Sequence, residues 1–155
     1  MAKEVMRRTA SDNEYLHKDF HGSMSVGIDY LDAHYGPEAV RDYLRQFTAS
    51  YFAPLIERVK MEGLTPLKEH FERLYAVEGA AIEARLSRDE LVIRVAACPA
   101  VTHMRACGYP VARLFSETTR TVNEALCEGT PYAAELIEYD EDTGRSVQRF
   151  FRRAS

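Results

Sequence analysis

The sequence predicts an α+β fold: N-terminal helices, then two β-hairpins that form one antiparallel sheet and are separated by two helices. Up to Gly79 the apolar residues recur at three- and four-residue spacing. From Ile82 to Val95, and again from Tyr132 to Arg152, they alternate with polar ones. Each alternating stretch is broken once by a short polar run, Ser87-Arg88-Asp89-Glu90 in the first and Asp140-Glu141-Asp142-Thr143-Gly144 in the second. Each therefore reads as a hairpin, and two hairpins bury their apolar faces most economically in a single sheet covered by helices.

The first residues are polar and aperiodic, which predicts a flexible arm over 1–14 and one α+β domain over 15–155. At 155 residues, with 46% hydrophobic, the chain can build one core and has little length for a second. A helix is expected from His21, with Met24, Ile28 and Leu31 on its apolar face and a stop at Tyr35-Gly36. Pro37 then suits a first helical turn, and Val40, Tyr43, Leu44 and Phe47 make the stripe of a second helix. After a break between Ser50 and Pro54, Phe52, Leu55, Ile56 and Val59 continue the pattern to Gly63. Thr65-Pro66 opens a fourth helix, with Leu67, Phe71 and Leu74 facing inward, that ends near Gly79. Between the hairpins lie a short helix after Cys98 and a longer one over roughly Val111 to Glu128. The second hairpin has Tyr132 to Tyr139 and Ser146 to Arg152 as its arms. Tyr30, Tyr35, Tyr43, Tyr51, Tyr75 and Tyr132 are expected to line the core and its grooves.

A net charge of −4, with acids and bases interspersed, leaves no basic stripe for a nucleic-acid backbone. No apolar run reaches membrane-spanning length, and the first residues lack the apolar centre of an export signal, so a cytoplasmic protein is expected. Three cysteines are too few for a disulfide framework in a chain of this length. They are left for packing, catalysis or metal binding.

Cys98-Pro99 places a thiol where a strand ends and a helix begins. There the free N–H groups and the helix dipole favour a thiolate, so Cys98 is a candidate nucleophile or metal ligand, expected to ionise below the ordinary cysteine range. The competing reading is a small buried residue closing the strand. His103 and Cys107 share a face of the same helix. A metal centre of Cys98, His103, Cys107 and Cys127 matches no compact ligand spacing, so no metal site is assigned. His21, read at a helix start beside Gly22, suits a neutral imidazole acting as a base. In Glu117-Thr118-Thr119-Arg120-Thr121-Val122-Asn123, Thr118 and Val122 fall with the apolar face. Thr119 and Asn123 lie on one flank, Glu117 and Thr121 on the other, and Arg120 points away. So many threonines and an asparagine form a helix poorly, as a polar pocket would require. Arg120 could clamp a carboxylate with its fork.

Several segments together, KDFHGSMSVGIDYLDAHYG, YFAPLIERVKMEGL, ACPAVTHMRACGYPV, LFSETTRTVNEALCEGTPY and ELIEYDEDTGRSVQRFFRR, resemble the bacterial L-2-amino-thiazoline-4-carboxylic acid hydrolase-like family. The resemblance runs from Lys18 onward. It implies hydrolysis of a five-membered cyclic amidine thioether to a carbamoyl-cysteine. A weaker likeness is to the vinyl-4-reductase-like small-molecule-binding domains, although the closely spaced glycine and cysteine ending expected there is missing.

The sequence thus points to a hydrolase-like enzyme acting on a non-peptide C–N bond of a small cyclic amidine or amide, such as 2-aminothiazoline-4-carboxylate. Cys98, His21 and Glu117 are the candidate catalytic residues, and His103, Asn123, Arg120 and Thr119 the candidate substrate-binding ones. The alternative is a non-catalytic binding or sensor module with the same pocket. No cofactor is named by the sequence, the expected partner is a small-molecule substrate rather than nucleic acid or membrane, and a homodimer is left open.

Overall fold

The computed structural model describes residues 14–154. Four helices come first: α1 (Glu14–Tyr35), α2 (Pro37–Tyr51), α3 (Ala53–Glu62) and α4 (Thr65–Val77). The hairpin β1 (Ile82–Leu86) and β2 (Glu90–Val95) follows, then α5 (Pro99–Ala106) and α6 (Glu117–Leu126), then the hairpin β3 (Tyr132–Tyr139) and β4 (Ser146–Arg152). The two hairpins join into one antiparallel sheet in the order β1-β2-β4-β3, giving the expected α+β fold. The predicted arm over 1–14 lies almost wholly outside the described residues. Among those described, no helix is long and apolar enough to cross a membrane.

Alternation fixes the strands and their register. Leu91, Ile93 and Val95 of β2 face Phe150, Gln148 and Ser146 of β4, and all six are buried on the helix side of the sheet. Both arms of the second hairpin end where the sequence placed them. A bulge between Leu136 and Glu138 takes Ile137 out of the pairing, and its side chain is exposed.

Two apolar clusters hold the layers together. Ile56, Val59, Leu67 and Phe71 of α3 and α4 pack on Leu91, Ile93 and Phe150 of the sheet. Ile28, Val40 and Leu44 of α1 and α2 pack on Val101, Met104 and Phe115. Val122 of α6 touches both clusters and so couples them.

Three expectations need correction. α1 begins at Glu14, so His21 sits about two turns inside a helix and not at its start. The dipole argument for a neutral His21 therefore fails. The helix expected from Val111 begins only at Glu117, because Ser25 of α1 binds the preceding segment: its hydroxyl donates to the Pro110 carbonyl and accepts from the Ala112 N–H at 2.8 Å. Residues 113–116 then form tight turns, with the Phe115 and Glu117 amides bonded three residues back. Finally, Tyr30, Tyr35, Tyr43 and Tyr51 are exposed rather than core, while Tyr132 is buried. Tyr30 stacks on His34 and Tyr51 on Phe47, so these rings cover one another on the outer helix faces.

Candidate functional site

Cys98 is the N-cap of α5, as the Cys-Pro pair predicts, with extended backbone dihedrals. Its own N–H donates to the Thr143 carbonyl at 2.9 Å, which ties α5 to the β3–β4 turn. Arg105 strengthens that tie by donating to the carbonyls of Asp142 and Glu141. Within the turn, Asp140 accepts from the Asp142 and Thr143 amides and the Thr143 hydroxyl.

The thiol is not the ionised one expected. Burial pushes it up from the ordinary cysteine value, and the nearby Glu78 carboxylate adds to this, while hydrogen bonds from the Val101 and Ala100 amides pull it down without winning. At a helix N-cap the dipole is present, but desolvation is the larger effect here. Cys127 lies wholly buried in the sheet-side core, where burial pushes its thiol up to about 12. Only Cys107 is exposed. A small alkylating agent at pH 7.5 is therefore expected to modify Cys107 first, Cys98 much more slowly, and Cys127 only after unfolding. Mass spectrometry of the peptides over time checks that order. Cys98 reacting first would restore the activated thiol.

His21 does meet a partner near Cys98, and the partner was missed in the sequence. Its Nε2 lies 2.8 Å from Oε1 of Glu78, the C-cap residue of α4, whose side chain is almost fully buried. Glu78 also acts on Tyr75, one turn back on α4. Burial, with smaller contributions from Cys98 and Glu78, pushes the Tyr75 phenol well up against the pull of its hydrogen bond with Gln148. Tyr139, at the end of β3, is pushed up to about 12 by burial and then by Cys98. Gln148 accepts from the Asn123 amide at 2.7 Å and donates to the Ser146 hydroxyl. Electrostatics and hydrogen bonds thus connect His21, Glu78, Cys98, Tyr75, Tyr139, Gln148 and Asn123 in one cluster at the Val95 end of the sheet.

No protein-family model matches the chain, and no curated protein does either. What the site can do must be read from its own residues.

Of the residues singled out by sequence, Cys98, His21 and Asn123 join this cluster. Glu117 does not. Its buried carboxylate accepts from the Thr121 hydroxyl at 2.6 Å and pairs with Arg41 of α2, so it serves the α2–α6 contact. The cause is the wheel: Glu117, Thr121 and Ala125 form one buried line toward α2, whereas Asn123 and Leu126 form another toward the sheet. The helical wheel alone puts Glu117 and Thr121 on a flank and Thr118 with the apolar face, whereas the fold buries Glu117 and Thr121 and leaves Thr118 half-buried. Thr119 is half-buried and Arg120 exposed. The His103 ring faces Cys107, at 3.8 Å from Nε2, and Asp19, at 3.7 Å. Among the described residues no group of three or more His, Cys, Asp or Glu side chains is placed to hold a metal ion.

Signals for the missed residues existed. Glu78 is an acid at a helix C-terminus, against the dipole, and directly before Gly79. Ser146 and Gln148 share strand parity with Phe150, so they are polar groups at inward positions. Both break a local rule, as functional positions do.

The same buried acids govern alkaline stability. Cys98, Cys127, Tyr75 and Tyr139 all keep their protons to higher pH in the fold than in the unfolded chain. Their contribution is complete below pH 9 and is lost as pH rises toward 12. Each group costs about 1.4 kcal/mol per pH unit between its unfolded and folded values. Urea unfolding at pH 8 and pH 10.5 is expected to show a marked fall for wild type and a shallower one for Cys127→Ala. Equal falls would place Cys127 outside this effect.

Proposed function

We propose that this chain is a hydrolase-like enzyme that opens small cyclic amidines or amides at a non-peptide C–N bond, with Cys98 as nucleophile and the Glu78–His21 pair as its proton acceptor and donor. The observation that carries the reading is the buried Glu78 carboxylate, bonded to His21 at 2.8 Å and close enough to raise the Cys98 thiol. A buried anion beside a neutral thiol suits a cationic amidine. An amidinium bound beside Cys98 would itself draw the thiol down, so that activation follows substrate binding. The similarity to the aminothiazoline-carboxylate hydrolase-like segments supports the same substrate class, and the free thiols suit a reducing cytoplasm.

In the step proposed, Sγ of Cys98 adds to the ring carbon while its proton passes to the Glu78–His21 pair. The ring C–N bond then breaks, and the departing nitrogen takes that proton. Water displaces Sγ from the carbon and restores the thiol, so one water is consumed per turnover. Tyr75 and Tyr139, both neutral, are available to donate to the developing charge on the second nitrogen or oxygen.

The rival reading, a binding or sensor module, is favoured by the raised Cys98 thiol, since a binding site has no use for an ionised one. Turnover of 2-aminothiazoline-4-carboxylate, other cyclic amidines and cyclic amides, with and without divalent metal, decides between them. Ring opening lost in Cys98→Ser supports the enzyme. Tight binding without turnover of any of these compounds replaces it with the module.

A further inference from the structure

A groove lies at the other end of the sheet from Cys98. The α3–α4 connection, the β1–β2 turn, the start of β3 and the end of β4 enclose about 370 Å³ of open space. β2 spans the distance between the two sites: its six residues start at Glu90 on the groove side and finish at Val95 near Cys98, about 20 Å at 3.3 Å per residue.

The groove is cationic in an acidic chain. Lys60, Arg88 and Arg152 line it against a single acid, Glu62. Glu62 is already bound by both arms of Arg58, at 2.9 and 3.0 Å. Lys60 and Arg152 have acidic partners in Glu57 and Asp89, whereas Arg88 makes no ion pair among the described residues.

A second observation is independent of charge. Tyr132 is 3% exposed and lines the groove. The Arg152 guanidinium lies over its ring and donates to its hydroxyl at 3.0 Å. The hydroxyl oxygen is thus used as an acceptor, and no described residue accepts its proton. A Cβ built on Gly63 would stand 3.1 Å from this oxygen, so the missing side chain keeps the hydroxyl open to the groove. A buried phenol donor calls for an acceptor.

We propose that this groove binds the oxyanion of a small molecule, a carboxylate or a phosphate, which accepts from the Tyr132 hydroxyl and is held by Arg88 and Arg152. Arg forks match both groups, and the anion completes the hydrogen bonding of Tyr132. The site is separate from the Cys98 cluster and does not depend on what that cluster does.

Calorimetric titration of the full chain with inorganic phosphate and with malonate, in low-chloride buffer, tests the proposal. At least one anion is expected to bind, and the one that does identifies the headgroup. Arg88→Ala, an exposed change, is expected to weaken it about tenfold, as for a charge-assisted hydrogen bond. Tyr132→Phe keeps the ring and its packing and is expected to weaken it by a similar factor. Diffuse surface charge would respond to Arg88 and ignore Tyr132. Failure of both anions to bind, or wild-type affinity in either variant, overturns the proposal.

Discussion

Gly144→Ala is expected to cost about 3–4 kcal/mol of stability, the sum of about 1–2 for a left-handed backbone and the overpacking of a filled site. Gly144 is buried at φ +66, and a Cβ built on it overlaps the Cβ of Cys98 and stands 3.1 Å from Cγ2 of Val101. Neither neighbour is the free end of a flexible side chain. The turn must then lift off α5, which breaks the bond from the Cys98 N–H to Thr143. With a urea slope of roughly 2 kcal/mol per molar, the unfolding midpoint should drop by about 1.5–2 M. Gly108→Ala is the control, because Gly108 has φ +70, close to that of Gly144, with nothing near its missing Cβ. It should show only the backbone part, so the difference between the two variants measures the contact of the turn with Cys98. Equal losses would mean that the turn does not press on Cys98.

The second large effect is on turnover. Glu78→Gln keeps the size and a hydrogen bond to His21 but removes the charge, so ring opening should fall on the order of a hundredfold in kcat. For a cationic amidine KM should also rise, and for a neutral cyclic amide it should not. A readout independent of activity accompanies this one. Glu78 raises the Cys98 thiol, so its loss should lower that value and speed Cys98 alkylation at pH 8.5. If kcat stays within about twofold of wild type and alkylation is unchanged, Glu78 is a structural partner of His21 and the proposed chemistry loses its base.

Local pattern made much of this protein legible in its sequence. The period-two stretches and their polar turns placed β3 and β4 at their observed ends, because strand alternation and turn chemistry act over a few residues. The Cys98-Pro99 pair announced the helix cap for the same reason. Where a long-range contact outweighs a local preference, the reading failed. The expected helix start at Val111 gave way to Ser25, a residue on α1 whose hydroxyl claims the Pro110 carbonyl and the Ala112 amide. The first helix starts at Glu14, ahead of the expected start at His21, and carries glycines at 22 and 27 within it.

For the site, sequence alone determined which residue types were available and where Cys98 sits on its helix. It could not determine the charge state of the thiol. A helix N-terminus favours a thiolate, and only the packing of α1, α4 and the β3–β4 turn around Cys98 makes desolvation the larger force. Nor could it pair His21 with Glu78, which lie on different helices and meet only because both pack beside the same end of the sheet. Glu117 shows the converse. Its position on a polar helix suggested a pocket, and the tertiary structure spent it on Arg41 and Thr121, since a carboxylate facing a neighbouring helix is stable only when bonded there.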